Sequence, residues 1–514
     1  MDANKRIVVN TGILYFKLIF TIIVNLYATR LILNAMGVEN FGIVNLISGI
    51  VALLSFFQNS LTISTQRFLS VNKGKNDIKK QLRIFNTSIL IHFFLGLCVV
   101  AILESLTTMI FNSAIQIPVD RISSSQILYQ LTILATFFVI ITVPYDATLN
   151  AHENMLWFSF ATIIESIIRL VGAFLMTGYP YDKLVFYGLL IISIRSISMI
   201  IKVVYCTRHY NDSKINILLF DKKLLKNMLS FAGWNVIGGF SVSIRSHGMA
   251  LIFNLFHGVV SNAAYGIANQ VFGQLSNFAS TISKAMAPQI MQNKGSGKEN
   301  HMILLSLRQC KYSFILLLFF AVPLFIEMPL ILKLWLKQVP ENASLFCRLI
   351  LIVAMIQQVT IGIQTLIQAN GKIALYQTIM SVVIFFNVPL AYFSLKIGMP
   401  AYSVIVTMIA IELVCMITRL TLANKLVCVS LSLLRRELLS PIFKMFIASS
   451  SFVTLLLCAK SNLNSLLDLF VYFFISFIWI IFVAVITLSN EERSSINLFL
   501  KKTYRKIIKK GNNV

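Results

Sequence analysis

Residues 8–33 read VVNTGILYFKLIFTIIVNLYATRLIL, a run of 26 residues in which only two side chains are charged. A helix that crosses the hydrocarbon core of a bilayer needs about 20 mostly apolar residues. At about 100° per residue, the polar side chains on one face of such a helix fall within a sector of about 80°. They are Asn10, Lys17, Thr21 and Asn25. The run therefore predicts a membrane-spanning helix with one polar stripe.

The same pattern recurs along the chain. Of its 514 residues, 57% are hydrophobic and 12% are charged, and the mean hydropathy is +0.81. Because globular domains are about 25% charged, this composition excludes a cytosolic enzyme, a disordered chain and a disulfide-stapled secreted module. We predict an all-α polytopic membrane protein with about fourteen transmembrane helices. The predicted spans are 8–33, 41–68, 85–111, 125–146, 156–178, 184–206, 228–254, 262–290, 312–332, 344–369, 374–395, 400–422, 441–459 and 466–488.

The formal net charge of +25 follows the same organisation. In a soluble protein it would suggest a nucleic-acid partner, but most Lys and Arg residues here lie in short segments between apolar runs, so no nucleic acid is expected. Positive charge is retained on the cytoplasmic side during insertion, which predicts that both termini are cytoplasmic. The segments on the opposite side contain only Arg121, Lys183, Lys333, Lys337, Lys396 and Lys460.

An internal repeat divides the chain. Residues 41–45, FGIVN, match residues 265–269, YGIAN, and a basic loop follows each match, at 72–75 and 293–298. Six predicted spans make up the repeat, an even number, so the two copies begin on the same side and a pseudo-twofold axis along the membrane normal should relate them. The predicted parts are an N-terminal six-helix lobe (1–207), a cytoplasmic linker (208–227), a C-terminal six-helix lobe (228–424), two appended helices (425–488) and a basic cytoplasmic tail (489–514).

Basic side chains inside the spans are the strongest functional signal. A charge at mid-membrane costs roughly 2.5–3.5 kcal/mol on insertion scales, so such residues should face a wet cavity or a partner. Lys17, Arg195 and Arg245 lie well inside their runs. We expect them to line an aqueous cleft between the lobes that favours an anionic cargo. Arg67 and Arg30 lie nearer the ends of their spans, where they either join this surface or extend to the interface.

Amides and carboxylates accompany these cations. We expect the cleft to be lined by polar side chains that bond a hydrated cargo: Asn25, Asn59, Gln66, Asn269, Gln274, Gln357 and Gln364. Four acidic residues are candidates for coupling transport to a proton or sodium gradient: Glu104, Glu165, Glu327 and Glu412. Structural pairing is the alternative for each of them, and Arg169 lies one helical turn from Glu165.

Motifs that would indicate catalysis are missing from the sequence. It has no nucleotide-binding loop, zinc-protease motif or hydrolase nucleophile motif. The seven Cys and six His residues show no metal-ligand spacing. We therefore expect no enzymatic activity, no metal and no cofactor.

Three stretches resemble those of a known family: Asn10-Thr11-Gly12, Phe41-Gly42-Ile43 and Ser64-Thr65-Gln66-Arg67-Phe68. Together with the number of runs, they resemble the Wzx-type O-antigen and capsular polysaccharide flippases of the multidrug/oligosaccharidyl-lipid/polysaccharide exporter superfamily. The resemblance implies two lobes that open alternately to either side of the bacterial inner membrane. It implies a cargo of undecaprenyl-diphosphate-linked oligosaccharide, carried from the cytoplasmic to the periplasmic leaflet, with membrane lipids, a polysaccharide polymerase and a chain-length regulator as partners.

Three other functions stay open at this point. They are a flippase for lipid-linked peptidoglycan precursors, a cation-coupled multidrug exporter of the same superfamily, and a membrane polysaccharide polymerase. An exporter of organic cations is expected to carry a carboxylate in its first span, where this chain has Lys17. A polymerase needs a long external loop or an acidic cluster, and every predicted outward loop here is short. A flippase for an anionic lipid-linked oligosaccharide therefore fits the residues best.

Overall fold

The structure is a computed structural model that describes residues 3–52, 55–111, 118–336, 339–459, 466–489 and 492–493. Within these ranges the fold is all-helical, without β-strands. The helices are α1 Ala3–Ala52, α2 Ser55–Gly74, α3 Ile78–Met109, α4 Ile122–Ala151, α5 Met155–Thr177, α6 Lys183–His209, α7 Lys222–Gly295, α8 Glu299–Trp335, α9 Ala343–Val359, α10 Ile361–Asn370, α11 Ile373–Phe385, α12 Asn387–Lys396, α13 Ser403–Val427, α14 Leu431–Leu434, α15 Ser440–Ala459 and α16 Leu466–Thr487. Lys337, Lys460 and the predicted basic tail beyond residue 493 lie outside the described residues.

Twelve helical segments of the described chain are long and apolar enough to cross a membrane. They agree with the predicted spans except at the second and eighth, 41–68 and 262–290, which are not among the twelve. Both stretches are rich in amides and hydroxyl groups, which lower their mean hydropathy. The polytopic all-α fold class is therefore confirmed, and fourteen helices remain consistent with it.

The second predicted span is divided between two helices. α1 continues beyond the first span through Gly37, whose φ of 80° breaks the helical geometry in a region that favours glycine. The break frees nearby backbone carbonyls, and Lys183 Nζ donates a hydrogen bond to one of them, the Ala35 carbonyl, at 2.6 Å. Lys183, which was predicted to lie in an outward loop, thus stabilises the bend in α1.

α7 contains the seventh and eighth predicted spans within one helical assignment. Phe253 and Tyr265 nevertheless stack with their ring centroids 4.8 Å apart. In a straight helix, twelve residues would separate them by about 18 Å along the axis. The chain must therefore turn back between them, and α7 consists of two arms.

The chain forms two compact units. The N-terminal unit comprises Arg6–Gly239 and Met291–Glu299. Within it α4 packs against α2, α3 and α6. Tyr129 of α4 is fully buried in its core and donates a hydrogen bond to the Leu103 carbonyl at 2.7 Å, so even the core aromatic residue satisfies its hydroxyl group.

The C-terminal unit comprises Met1–Lys5, Phe240–Ile290 and Asn300–Val514. Its apolar core joins α7, α8, α9, α12 and α13, and Phe253 contacts Phe346 there at a ring distance of 5.3 Å. α8 is interrupted at Glu327, between two prolines. Arg348 Nε and Nη2 donate to the carbonyls of Phe325 and Ile326, at 2.9 and 3.3 Å, so this break also carries a basic cap.

The two basic loops of the sequence repeat meet inside the N-terminal unit. A Cβ atom on Gly74 would collide with the backbone carbonyl of Gln292, and one on Gly295 would collide with the carbonyl of Val71. Repeat-related glycines thus let two helix ends cross with their backbones in contact. Gln292 Nε2 extends the contact by donating to the Ala151 carbonyl at 2.8 Å.

We expect Gly74→Ala and Gly295→Ala each to destabilise the protein by about 1–3 kcal/mol, because an added methyl group meets backbone rather than a movable side chain. Thermal unfolding of the purified protein in detergent measures the effect. Gly233→Ala is the matched control, since its Cβ would meet nothing within 4 Å. Equal melting temperatures for all three variants would show that the crossing is not close-packed.

Candidate functional site

A charged cluster lies among the spans of the N-terminal unit. Lys17 of α1 and Lys202 of α6 approach the same aromatic ring, with their Nζ atoms 5.2 and 5.6 Å from the Phe158 centroid. Lys202 Nζ also lies 2.8 Å from Asp146 Oδ1. Asp146 interacts electrostatically with Lys17 as well. α1, α4, α5 and α6 therefore bring two ammonium groups to one carboxylate beside one aromatic ring.

Glu165 of α5 extends this cluster. Its Oε2 lies 2.9 Å from Arg195 Nη1, and its Oε1 accepts a hydrogen bond from the Ser198 hydroxyl. The structure thus pairs Glu165 with α6, whereas the sequence offered Arg169 of its own helix. Asp146 and Glu165 together face three cations, Lys17, Lys202 and Arg195, so positive groups outnumber negative ones in this cluster.

Sequence reasoning did not identify Asp146 or Lys202 as site residues. Asp146 was the last residue of the fourth predicted span, and Lys202 lay near the end of the sixth. The structure extends α4 to Ala151 and α6 to His209, which places both side chains inside helices. The sequence signal nearest to Asp146 was Pro144, two residues before it, because a proline inside a helix removes a backbone hydrogen bond and permits a kink.

A second cluster lies in the C-terminal unit. Glu412 of α13 receives Arg245 of α7 at 3.2 Å and Arg419 of its own helix at 3.0 Å. Arg419 Nη1 also donates to the Thr360 hydroxyl, at 3.0 Å, where the chain breaks between α9 and α10. The exposed fractions of the three charged side chains are only 7%, 1% and 7%. Two guanidinium groups thus share one carboxylate in a dry setting.

This arrangement changes the interpretation of Arg245 and Glu412. The sequence suggested a cleft-lining cation and a separate carboxylate available for ion coupling. In the structure each neutralises the other, because an unpaired charge in such a position has a large desolvation penalty. Contact between Arg245 and a cargo would require the guanidinium group to leave Glu412.

The other predicted cations occupy different settings. Arg67 of α2 is partly buried and lies near two aromatic rings, 5.0 Å from the Phe68 centroid and 4.8 Å from that of Phe231. Arg30 is exposed on α1. Arg67 therefore makes cation–π contacts, whereas Arg30 is exposed.

The predicted amides fall into two groups. Asn25, Gln66, Asn269, Gln357 and Gln364 are partly buried. The other two, Asn59 and Gln274, are exposed. Each of the two units thus contains some of the partly buried amides that were predicted to bond the cargo.

The remaining acidic candidates differ in burial. Glu104 is exposed on α3, where its Oε2 accepts a hydrogen bond from Gln130 Nε2 at 3.0 Å. Glu327 is 2% exposed at the break in α8, and it interacts electrostatically with Arg348. Among the described residues, no group of three or more His, Cys, Asp or Glu side chains could hold a metal ion.

A polar cluster also lies just beyond the spans of the N-terminal unit. His152 Nε2 lies 2.9 Å from Asp212, and Lys73 Nζ lies 3.1 Å from His152 Nδ1. Burial would raise the pKa of Asp212, but the hydrogen bond and charge of His152 and the charge of Lys73 outweigh it and keep that pKa below its ordinary value. The cluster fixes the turn between α4 and α5. Asn10 of α1 also holds this turn, since its Nδ2 donates a hydrogen bond to the Glu153 carbonyl at 3.0 Å.

The fold is that of the MATE transporters. A multidrug-resistance MATE transporter of the MOP superfamily, solved in an outward-facing conformation, aligns with a TM-score of 0.73 and 13% identity over 83% of this chain and 96% of its own. A MATE protein in complex with MaD5 aligns with a TM-score of 0.74 and 12% identity, over 83% of this chain and 97% of its own. A MOP-superfamily transporter of Pyrococcus furiosus Vc1 aligns with a TM-score of 0.72 and 12% identity, over 84% of this chain and 98% of its own. It is described as having a binding pocket of reversed polarity that suggests a different function.

Sequence similarity adds the family. The profile of the polysaccharide biosynthesis protein family matches residues 4–294. The chain belongs to this family and is a multi-pass membrane protein with a transporter fold. A comparison with curated protein sequences finds no match.

The buried cluster of Arg245, Glu412 and Arg419 generates a prediction about stability. Glu412→Gln leaves two adjacent guanidinium groups without a counter-charge, and removal of one partner from a buried pair costs about 3–5 kcal/mol. Arg245→Met leaves the Glu412–Arg419 pair balanced, so we expect a smaller loss. Melting temperatures in detergent should therefore fall in the order wild type, Arg245→Met, Glu412→Gln.

The matched control is Glu299→Gln, which breaks an ion pair to Lys294 on the surface. Its effect should be small, because exposed ion pairs contribute little. A Glu412→Gln variant at least as stable as Arg245→Met would contradict the charge balance assigned to this cluster.

Proposed function

We propose that the protein is a flippase that moves undecaprenyl-diphosphate-linked oligosaccharide units across the membrane by alternating access. The observation that carries the proposal is the excess of basic groups in the span interiors. In the N-terminal unit, Lys17, Lys202 and Arg195 face two carboxylates, and in the C-terminal unit two arginines share Glu412. In each of these clusters the basic groups thus outnumber the carboxylates by one.

This charge suits an anionic headgroup. A diphosphate cannot enter hydrocarbon unaided, because transfer of an isolated ion from water to an apolar medium costs tens of kcal/mol in the ideal limit. Ammonium and guanidinium groups along a polar passage replace the water that the phosphates lose. The partly buried amides, including Gln66 and Gln357, supply donors and acceptors for sugar hydroxyls, while the polyprenyl chain stays in lipid.

Family membership supports a carbohydrate cargo, since the family is that of polysaccharide biosynthesis proteins. The fold is shared with multidrug exporters, but the cations described above would repel a cationic drug. The reversed pocket polarity described for the Pyrococcus furiosus transporter indicates that this fold accepts binding surfaces of different charge. A flippase for a lipid-linked oligosaccharide is therefore favoured over a drug exporter.

The proposed function implies a membrane location and an orientation. We place the protein in the bacterial inner membrane with both termini cytoplasmic, so that the cargo moves to the periplasmic leaflet for O-antigen or capsule synthesis. A polysaccharide polymerase and a chain-length regulator would then act on the delivered units. Of the four carboxylates considered for ion coupling, Glu165 and Glu412 are engaged by arginines, and we assign them structural pairing.

The cationic passage is tested through Lys17, which lies on the polar stripe of the first span. We expect Lys17→Ala to reduce export of surface polysaccharide about tenfold or more, the loss expected when one hydrogen bond to a charged group is removed. Lys17→Arg should restore most of the activity. The measurement is surface polysaccharide in cells that lack their own flippase and express each variant at an equal membrane level.

Lys79→Ala is the control, because Lys79 is an exposed basic residue in the first turn of α3. Its export should match that of the wild type. Undiminished export by Lys17→Ala would remove Lys17 from the transport path, and failure of the wild type to restore any polysaccharide would argue against the proposed function itself.

A further inference from the structure

We propose that Asp146 occupies the place of a phosphate group at Lys202, and that the diphosphate of the cargo displaces it so that Lys17 and Lys202 hold the two phosphates together. This inference rests on the proposed function and deepens it, because it assigns a second diphosphate ligand and a residue that regulates its availability.

Geometry brings the two lysines to one place. Because both Nζ atoms lie within 5.6 Å of the Phe158 centroid, they are at most about 11 Å apart. The lysines come from different helices, α1 and α6, and the ring belongs to a third, α5. A ligand between them therefore contacts three helices of one unit.

Charge makes the pair suitable for a diphosphate diester, which carries one negative charge on each phosphate. Two ammonium groups match those two charges once the carboxylate of Asp146 no longer engages Lys202. In the present structure Asp146 holds Lys202 through one oxygen, Oδ1, at 2.8 Å. A phosphate offers more acceptor oxygens to the same ammonium group and can take its place.

The surroundings of Asp146 favour its displacement. Glu165 is close enough to repel Asp146 electrostatically, and it is itself held by Arg195 and Ser198. Of the ion pair, Lys202 is the more enclosed partner, with 9% of its side chain exposed against 22% for Asp146. More of the Asp146 side chain than of the Lys202 side chain is therefore accessible, although Oδ1, the atom that faces Lys202, is itself buried.

A purely structural ion pair and a phosphate stand-in predict opposite outcomes for Asp146→Asn. If Asp146 only stabilises the fold, its neutralisation leaves diphosphate binding unchanged or weaker. If Asp146 competes with the phosphate, the same change frees Lys202 and tightens binding. Whether Asp146→Asn tightens diphosphate binding or not therefore distinguishes the two roles of Asp146.

The experiment measures binding of farnesyl diphosphate to the full-length protein in detergent, by calorimetry or thermophoresis. We expect Asp146→Asn to lower Kd by about threefold to tenfold and Lys17→Met to raise it about tenfold, within the range of one hydrogen bond to a charged group. In Asp146→Asn/Lys202→Met the gain should vanish and Kd should rise above that of the wild type. Asp120→Asn is the control: it neutralises an exposed carboxylate in the same unit and should leave Kd unchanged.

Two further ligands identify what the site recognises. Farnesyl monophosphate should bind about tenfold more weakly than farnesyl diphosphate, since it engages one lysine rather than two. Inorganic pyrophosphate tests whether a free anion suffices; binding equal to that of farnesyl diphosphate would overturn the assignment to a lipid-linked headgroup.

The variants also separate this inference from the proposed function. If the wild type binds farnesyl diphosphate but Asp146→Asn binds it no more tightly, the stand-in role is wrong and the flippase proposal survives. If the wild type binds neither farnesyl compound, both fail. Should Asp146→Asn not fold, the charge-neutral double variant decides, because wild-type affinity in Asp146→Asn/Lys202→Met would overturn the role of Lys202.

Discussion

An ionised side chain within the hydrocarbon depth of a membrane must find a counter-charge, a hydrogen-bond partner or water. This requirement organises the polar interior of the protein. Glu412 compensates two arginines from two helices, and Asp146 and Glu165 compensate groups on α6. These contacts fix the rotation of α4, α5, α6, α7 and α13, so the charges act as structural constraints as well as candidate ligands.

Compensation is incomplete in both units, and this incompleteness connects structure to function. A fully neutral interior would be a stable scaffold with no attraction for an ion. An interior with no carboxylates would repel itself and be difficult to insert. In the two clusters described here, carboxylates are outnumbered by cations; they hold the helices together, and the proposed function assigns the remaining positive charge to an anionic cargo.

The spans and the fold class could be predicted from hydropathy, because apolar runs of membrane length have few alternative structures. The breaks within the helices and the ion pairs between them could not be predicted in this way. Glu165 illustrates the limit: spacing along one helix pointed to Arg169, whereas its partner Arg195 comes from the next helix, and such a pairing depends on how two helices are rotated. Asp146 and Lys202 lay within predicted spans but were overlooked for a related reason, since their ion pair joins two different helices, α4 and α6. Arg245 was correctly placed inside a span, but its burial against Glu412 required knowledge of α13.

α7 passes between the two units twice. Its first arm leaves the N-terminal unit after Gly239, and its second arm returns to that unit at Met291. Gly238-Gly239 adjoins the first crossing, and Pro288 lies three residues before the second. Glycine pairs and proline weaken the resistance of a helix to bending and torsion. A glycine pair or a proline therefore lies beside each of these two crossings, where α7 resists bending less than an uninterrupted helix would.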